Sequence, residues 1–191
     1  MANPDAYLLR ENTGTAGVVQ TARDAVETLA HFEIPHLIVG GIAVQEHGYP
    51  RVTIDVDIVV PDALEAVEFL TANVSGPFIR IPVRQDGVED RRNHVIVDLL
   101  PGGAVLRPGN KVPFPFPTKV ADKLQLVTLE ELVSLKLDSW FGAPLRRLKD
   151  RADVVELILR RKLPRNLAVA PAAQQLYLET WDGLQAESQG A

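Results

Sequence analysis

Residues 52–60, V-T-I-D-V-D-I-V-V, constrain this chain more than any other stretch. Alternate side chains of an extended strand share a face, so Ile54, Val56, Ile58 and Val60 line one side and Thr53, Asp55 and Asp57 the other. The apolar face needs a core to cover it. The opposite face then carries two carboxylates, about 6.6 Å apart along the strand. Two meanings fit such a pair. It is either a solvated strand face with two acids, or part of a site for a hard cation such as Mg2+, typically held by one or two carboxylates plus substrate phosphates.

The surrounding pattern alternates helices and strands, which points to an α/β or α+β domain. Val18, Ala22, Val26, Leu29 and Phe32 recur at helical spacing, and Ile34-Pro35 ends that helix. A short apolar strand over 36–39 runs into Gly40-Gly41. A brief apolar stretch over 42–47 follows, and then the acidic strand. Asp62 with Glu65 marks a capped helix start that continues through Ala66, Phe69 and Leu70. Strands are expected over 78–83 and 94–100, joined by a charged turn around 86–92. Residues 101–118 are rich in proline and glycine, so they form a long irregular connection. Helices are then expected over 128–141, where Thr128 and Glu131 make a T-x-x-E box, over 144–162, and over about 171–186.

A third acid adds to the first two. Asp98 sits in the almost wholly apolar run H-V-I-V-D-L-L and shares its strand face with Ile96 and Leu100. An ionised carboxylate there is costly without a cation or a set of hydrogen bonds. A metal shared with Asp55 and Asp57 would supply the first; backbone groups of the loop at Gly102-Gly103 would supply the second. Gly40-Gly41, where a strand turns into the next element, is either a tight turn or a place where backbone N–H groups approach a phosphate. Neither G-x-G-x-x-G nor a phosphate-loop lysine pattern is present. His47 has no second histidine at ligand spacing and reads as structural. Lys136 falls in the middle of an apolar helical stripe with Leu129, Leu132, Val133 and Trp140, so it must find an anion. Triphosphate oxygens across a cleft would serve, and so would an ion pair with Asp150 or Asp153.

The 191 residues hold no cysteine, which excludes disulfides, thiolate metal sites and cysteine nucleophiles. Net charge is −5, against a globally basic nucleic-acid binder. No apolar run approaches the ~20 residues that span a bilayer, and no secretory leader is readable at the start, so a cytoplasmic location is the expectation.

Gly40-Gly41, then H-G-x-x-R-x-T-x-D-x-D-I over 47–58, then a single Asp98 on a later strand, resembles the nucleotidyltransferase superfamily that includes DNA polymerase β. More narrowly the chain is similar to minimal nucleotidyltransferases of the AbiEii toxin type, found in toxin–antitoxin modules. L-E-E-L-V-S-L-K over 129–136 and R-x-K-D-x-x-D-V over 147–154 look like the helical half of that family. Many polymerase-type members carry Gly-Ser where this chain has Gly-Gly. The resemblance implies an α+β nucleotidyltransferase fold, a short mixed sheet flanked by helices, with a core over 1–118 and a C-terminal helical subdomain over 119–191. It implies transfer of a nucleoside monophosphate from an NTP to an acceptor hydroxyl, an RNA or tRNA end being favoured. The rival readings are an antidote-type member acting on a protein partner and a non-catalytic binding domain. Asp55, Asp57 and Asp98 would be the catalytic acids and the ligands of Mg2+ or Mn2+. Gly40, Gly41, Arg51, Thr53 and Lys136 would contact the nucleotide, and a cognate toxin or antitoxin protein is an expected partner.

Between Arg146 and Arg165 the chain carries eight basic residues against Asp150, Asp153 and Glu156. Lys149 with Asp153 has i,i+4 spacing for an ion pair. Arg160, Arg161, Lys162 and Arg165 have no acid within a turn downstream, so they are expected to be free to meet phosphates of an RNA acceptor.

Overall fold

A computed structural model describes residues 15–190. In chain order the elements are helix α1 (Thr15–His31), strand β1 (Leu37–Val39), helix α2 (Gly40–Glu46), strand β2 (Asp55–Val60), helix α3 (Ala63–Thr71), strands β3 (Phe78–Arg80), β4 (Gly87–Asp90) and β5 (Val95–Pro101), and helices α4 (Leu129–Gly142), α5 (Leu148–Arg161) and α6 (Gln174–Gly190). A 3-10 turn, Pro171–Ala173, leads into α6. The strands form one mixed sheet in the order β1-β2-β5-β4-β3, parallel between β2 and β5 and antiparallel elsewhere. Residues 125–127 run along β1, where Ile38 N donates to Gln125 O and Val127 N to Ile38 O, so that edge is covered.

Strand alternation divides the sheet as the sequence pattern requires. Val56, Ile58 and Val60 of β2 and Val95, Val97 and Leu99 of β5 pack with α1 and α3 in one apolar core. On the other side Val39, Val59 and Leu100 join residues 112 and 114 and helices α4, α5 and α6 in a second core. Burying the first face against α1 and α3 turns Asp55, Asp57 and Asp98 towards the helical half. Helix starts follow their caps: Asp62 accepts from Leu64 N and Glu65 N, and Thr128 with Glu131 completes a reciprocal capping box.

Four expectations are corrected. β2 begins at Asp55, and Ile54, assigned to the apolar face, is 76% exposed. Residues 81–83 lie outside β3, with Val83 almost fully exposed. The charged turn around 86–92 contains strand β4, whose Asp90 is buried. Helix α5 starts at Leu148, four residues late, after a turn that leaves Leu145 exposed. No described helix is long and apolar enough to cross a membrane.

Candidate active site

Register decides where the acids meet. On the parallel pair β2 and β5, Asp57 lies directly opposite Asp98, and Asp55 lies two residues earlier on the same face. On the other flank Val39 pairs with Asp57, so the chain leaves β1 into Gly40-Gly41 beside that carboxylate. Gly40 has φ +66°, and a Cβ there would fall 1.8 Å from Asp57 Oδ2. A Cβ on Gly41 would fall 2.1 Å from Thr53 Oγ1. Both glycines are therefore required by close approach, one to the half-buried Asp57 and one to the threonine that donates to Asp55 Oδ1 at 3.0 Å. Gly41→Ser is expected to push Thr53 aside and lower stability by about 1–3 kcal/mol, read from chemical denaturation.

The three acids line a cleft of about 440 Å³ between the sheet and the helical half. Burial, then the charges of Asp55 and Asp98, push the Asp57 carboxyl up to about 6. Burial also raises Asp98, against the opposing pull of Arg84. Arg84 Nη1 stands 2.8 Å from Asp98 Oδ1, and Nη2 reaches Asp86 at 3.3 Å. The Arg84–Asp98 contact is close but poorly angled for a hydrogen bond, so it is an ion pair rather than a directed bond. Among the described residues no three acidic, histidine or cysteine side chains are arranged to hold a metal ion. The donor chemistry nevertheless suits Mg2+ or Mn2+. All donors are carboxylate oxygens, burial and the neighbouring acids make Asp57 hold its proton despite the charge of Lys136, and a guanidinium already stands as a cation at Asp98.

The opposite wall belongs to α4, α5 and residue 107. Lys136 Nζ lies 2.7 Å from Asp150 Oδ1 and 2.9 Å from Asp153 Oδ2. Arg51 clamps Asp153 from the other side, through Nη2 at 3.0 Å and Nε at 2.7 Å, and Ser139 donates to Asp150 at 2.7 Å. Burial would lower Lys136, but Asp150 and Asp153 more than offset it and keep the amine charged. Lys136 and Arg51 thus line the cleft with their charges shared with buried acids. Asp153 being occupied in this way, the i,i+4 pair expected with Lys149 does not form.

Three cleft cations carry no carboxylate partner among the described residues: Lys149, Arg147 and Arg107, the last donating to Ser139 Oγ at 3.1 Å. Burial and the nearby Arg51 charge hold the Lys149 amine below its ordinary value. The sequence reading did not place these three in the site, nor Arg84. Lys149 lay in a basic run with an acid at pairing distance, and Arg84 and Arg107 lay in segments without periodicity. His47 is structural in its contacts, its Nε2 lying 2.8 Å from Val127 O.

The row of free cations is corrected as well. Arg160 pairs with Glu156 at 2.8 Å and stacks on Tyr49, and Arg165 makes a two-point pair with Asp182 at 2.7 and 2.9 Å. The partners lie upstream or on another helix, outside the downstream turn. Arg161 and Lys162 are exposed.

No protein-family model and no curated protein sequence matches this chain. Among solved structures, an antigenic nucleotidyltransferase-like protein from Paracoccidioides brasiliensis matches with a TM-score of 0.59 at 16% identity, over 90% of this chain and 89% of that one. The antibiotic-resistance factor ANT(2'')-Ia in solution matches with a TM-score of 0.52 at 13% identity, over 92% and 96% of the two chains. The same factor in complex with adenylyl-2''-tobramycin gives 0.51 at 10% identity, over 88% and 99%. The fold is that of nucleotidyltransferases.

Proposed function

We propose that this chain, as a minimal nucleotidyltransferase of the AbiEii type, moves a nucleoside monophosphate from an NTP to an acceptor hydroxyl and releases pyrophosphate. The observation that carries the reading is the pairing of Asp57 with Asp98 in register, beside Asp55, across a cleft from cations without acid partners among the described residues. Asp55, Asp57 and Asp98 would hold Mg2+ or Mn2+, which when bound neutralises phosphate charge and lowers the pKa of the attacking hydroxyl. The start of α2 at Gly40 and Gly41, packed against Thr53 and Arg51 of the approach to β2, is the surface against which phosphates would lie. Lys149, Arg147 and Arg107 would take the charge that develops on the leaving pyrophosphate. Lys136 would act from behind them, holding Asp150 and Asp153 while facing the same cleft. The acceptor oxygen forms its bond to the α-phosphorus as the bond to the β-phosphate oxygen breaks.

An RNA end, tRNA above all, is the acceptor we favour. Exposed Arg146, Arg147, Arg151, Arg161 and Lys162 support it, as a basic surface on a chain of net charge −5. A role in a toxin–antitoxin pair, with a cognate protein partner, follows from the same resemblance. The test is incubation with each α-labelled NTP and Mg2+ or Mn2+, with total tRNA, total protein or neither. Label on tRNA is the expected result. Label on one protein would transfer the reading to an antidote-type enzyme, and nucleotide binding without transfer to any acceptor would sink the enzymatic reading.

A further inference from the structure

Arg84 belongs to neither strand; it lies on the connection between β3 and β4, with its side chain 39% exposed. It is a wall of two spaces at once. One is the cleft already described. The other is a groove of about 510 Å³ lined by Val18, Ile54, Asn93, His94 and Ile96, which shares Asp55, Arg84 and Asp98 with the cleft. The Arg84–Asp98 pair therefore stands at the junction of the two.

We propose that Arg84 is the resting counter-ion of Asp98, that a divalent cation displaces it, and that its departure joins the groove to the cleft. The inference rests on the reading of the three acids as cation ligands. Of the three, and counting partners among the described residues, Asp98 alone is closed by a cationic side chain within ion-pair distance; Asp55 is held by a neutral hydroxyl, and Asp57 is crowded by Gly40. A guanidinium 2.8 Å from Asp98 Oδ1 fills the space in which a metal would coordinate that oxygen, so the two exclude each other. This accounts for the acids not being gathered as a ready cage. Asp86 makes the exchange easy. It already holds Arg84 Nη2, so the displaced guanidinium keeps one partner and loses one.

Binding of Mn2+ to the nucleotide-free full chain, followed by the loss of the free-ion paramagnetic resonance signal, tests the exclusion without relying on turnover. Arg84→Ala and Arg84→Gln are expected to bind Mn2+ about tenfold more tightly than wild type. Arg84→Lys, which keeps the charge, stays near wild type. In an Asp98→Asn background Arg84→Ala changes nothing, because the contested carboxylate is gone. Melting curves check that each variant is folded, and Arg80→Ala, which breaks an exposed pair with Glu68, serves as the control. Equal affinity in wild type, Arg84→Ala and Arg84→Gln would overturn the exclusion and leave the transferase reading standing. Absence of Mn2+ binding from every protein, with or without NTP, would overturn both.

Discussion

Asp57→Asn is expected to cut nucleotidyl transfer by at least about 10³-fold while making the metal-free protein more stable at pH 8. On the proposed function, the first effect follows from removing one of the carboxylates that would hold the cation, whose charge in the transition state would be worth several kcal/mol. The second follows from the environment of Asp57. A carboxyl raised from 3.8 to about 6 holds its proton longer in the folded state than in the unfolded one. Its burden on stability is therefore absent below about pH 4, grows as pH rises through 6, and is complete above that. Its full size is at most about 3 kcal/mol. Buried His36 works the other way, because its lowered pKa makes acid, not base, the destabilising condition. The contribution of Asp57 is thus the difference between the stability–pH curves of wild type and Asp57→Asn. That difference should open between pH 4 and 6 and then stay flat. A variant less stable than wild type at pH 8 would mean that Asp57 is already compensated and is not waiting for a cation.

Lys136→Met is expected to cost about 3–5 kcal/mol of folding stability, because it strips a shared cation from Asp150 and Asp153, both buried. Methionine fills the apolar part of the space, so little of the loss comes from packing. Adding Asp150→Asn should recover part of it, since one uncompensated charge is removed. Arg51 still holds Asp153 in either variant. Denaturant melts measure the loss, and NTP titration of the folded variant decides what else Lys136 does. A fall in NTP affinity beyond that of Arg51→Met would give the amine a phosphate contact as well; small losses in both would contradict the ion-pair geometry.

What the sequence made legible is what periodicity and capping encode. The alternation in β2 forced the acids to one face, and T-x-x-E at Thr128 marked a helix start to the residue. The register of Asp57 against Asp98 was not legible, since nothing local says which strands are neighbours. β4 was hidden because its sequence, G-V-E-D, looks like a turn. Its buried acid, Asp90, is satisfied by Thr21 from α1 at 2.7 Å and by Arg92, a network assembled across 69 residues of chain. Lys136 showed that it needed an anion without showing which. The Arg84–Asp98 pair joins a turn to a strand, with no spacing rule to announce it.

Residue Asp138 of α4 accepts from the backbone N–H groups of Lys111 and Val112, at 3.0 to 3.2 Å, while Asn110 donates to its carbonyl. That carboxylate fastens the proline-rich segment to α4, and the Arg51–Asp153 clamp fastens the acidic strand's approach to α5. Riveted at both ends, the helical wall of the cleft is held at a set distance from the proline-rich segment and from the approach to β2. The 81–86 connection is tied differently, by Leu99 N–H donating to Asp86 O at 2.8 Å and by the partly exposed Arg84–Asp98 pair. Substitutions in that connection would alter the surroundings of Asp98 while leaving both fastenings of the helical wall in place.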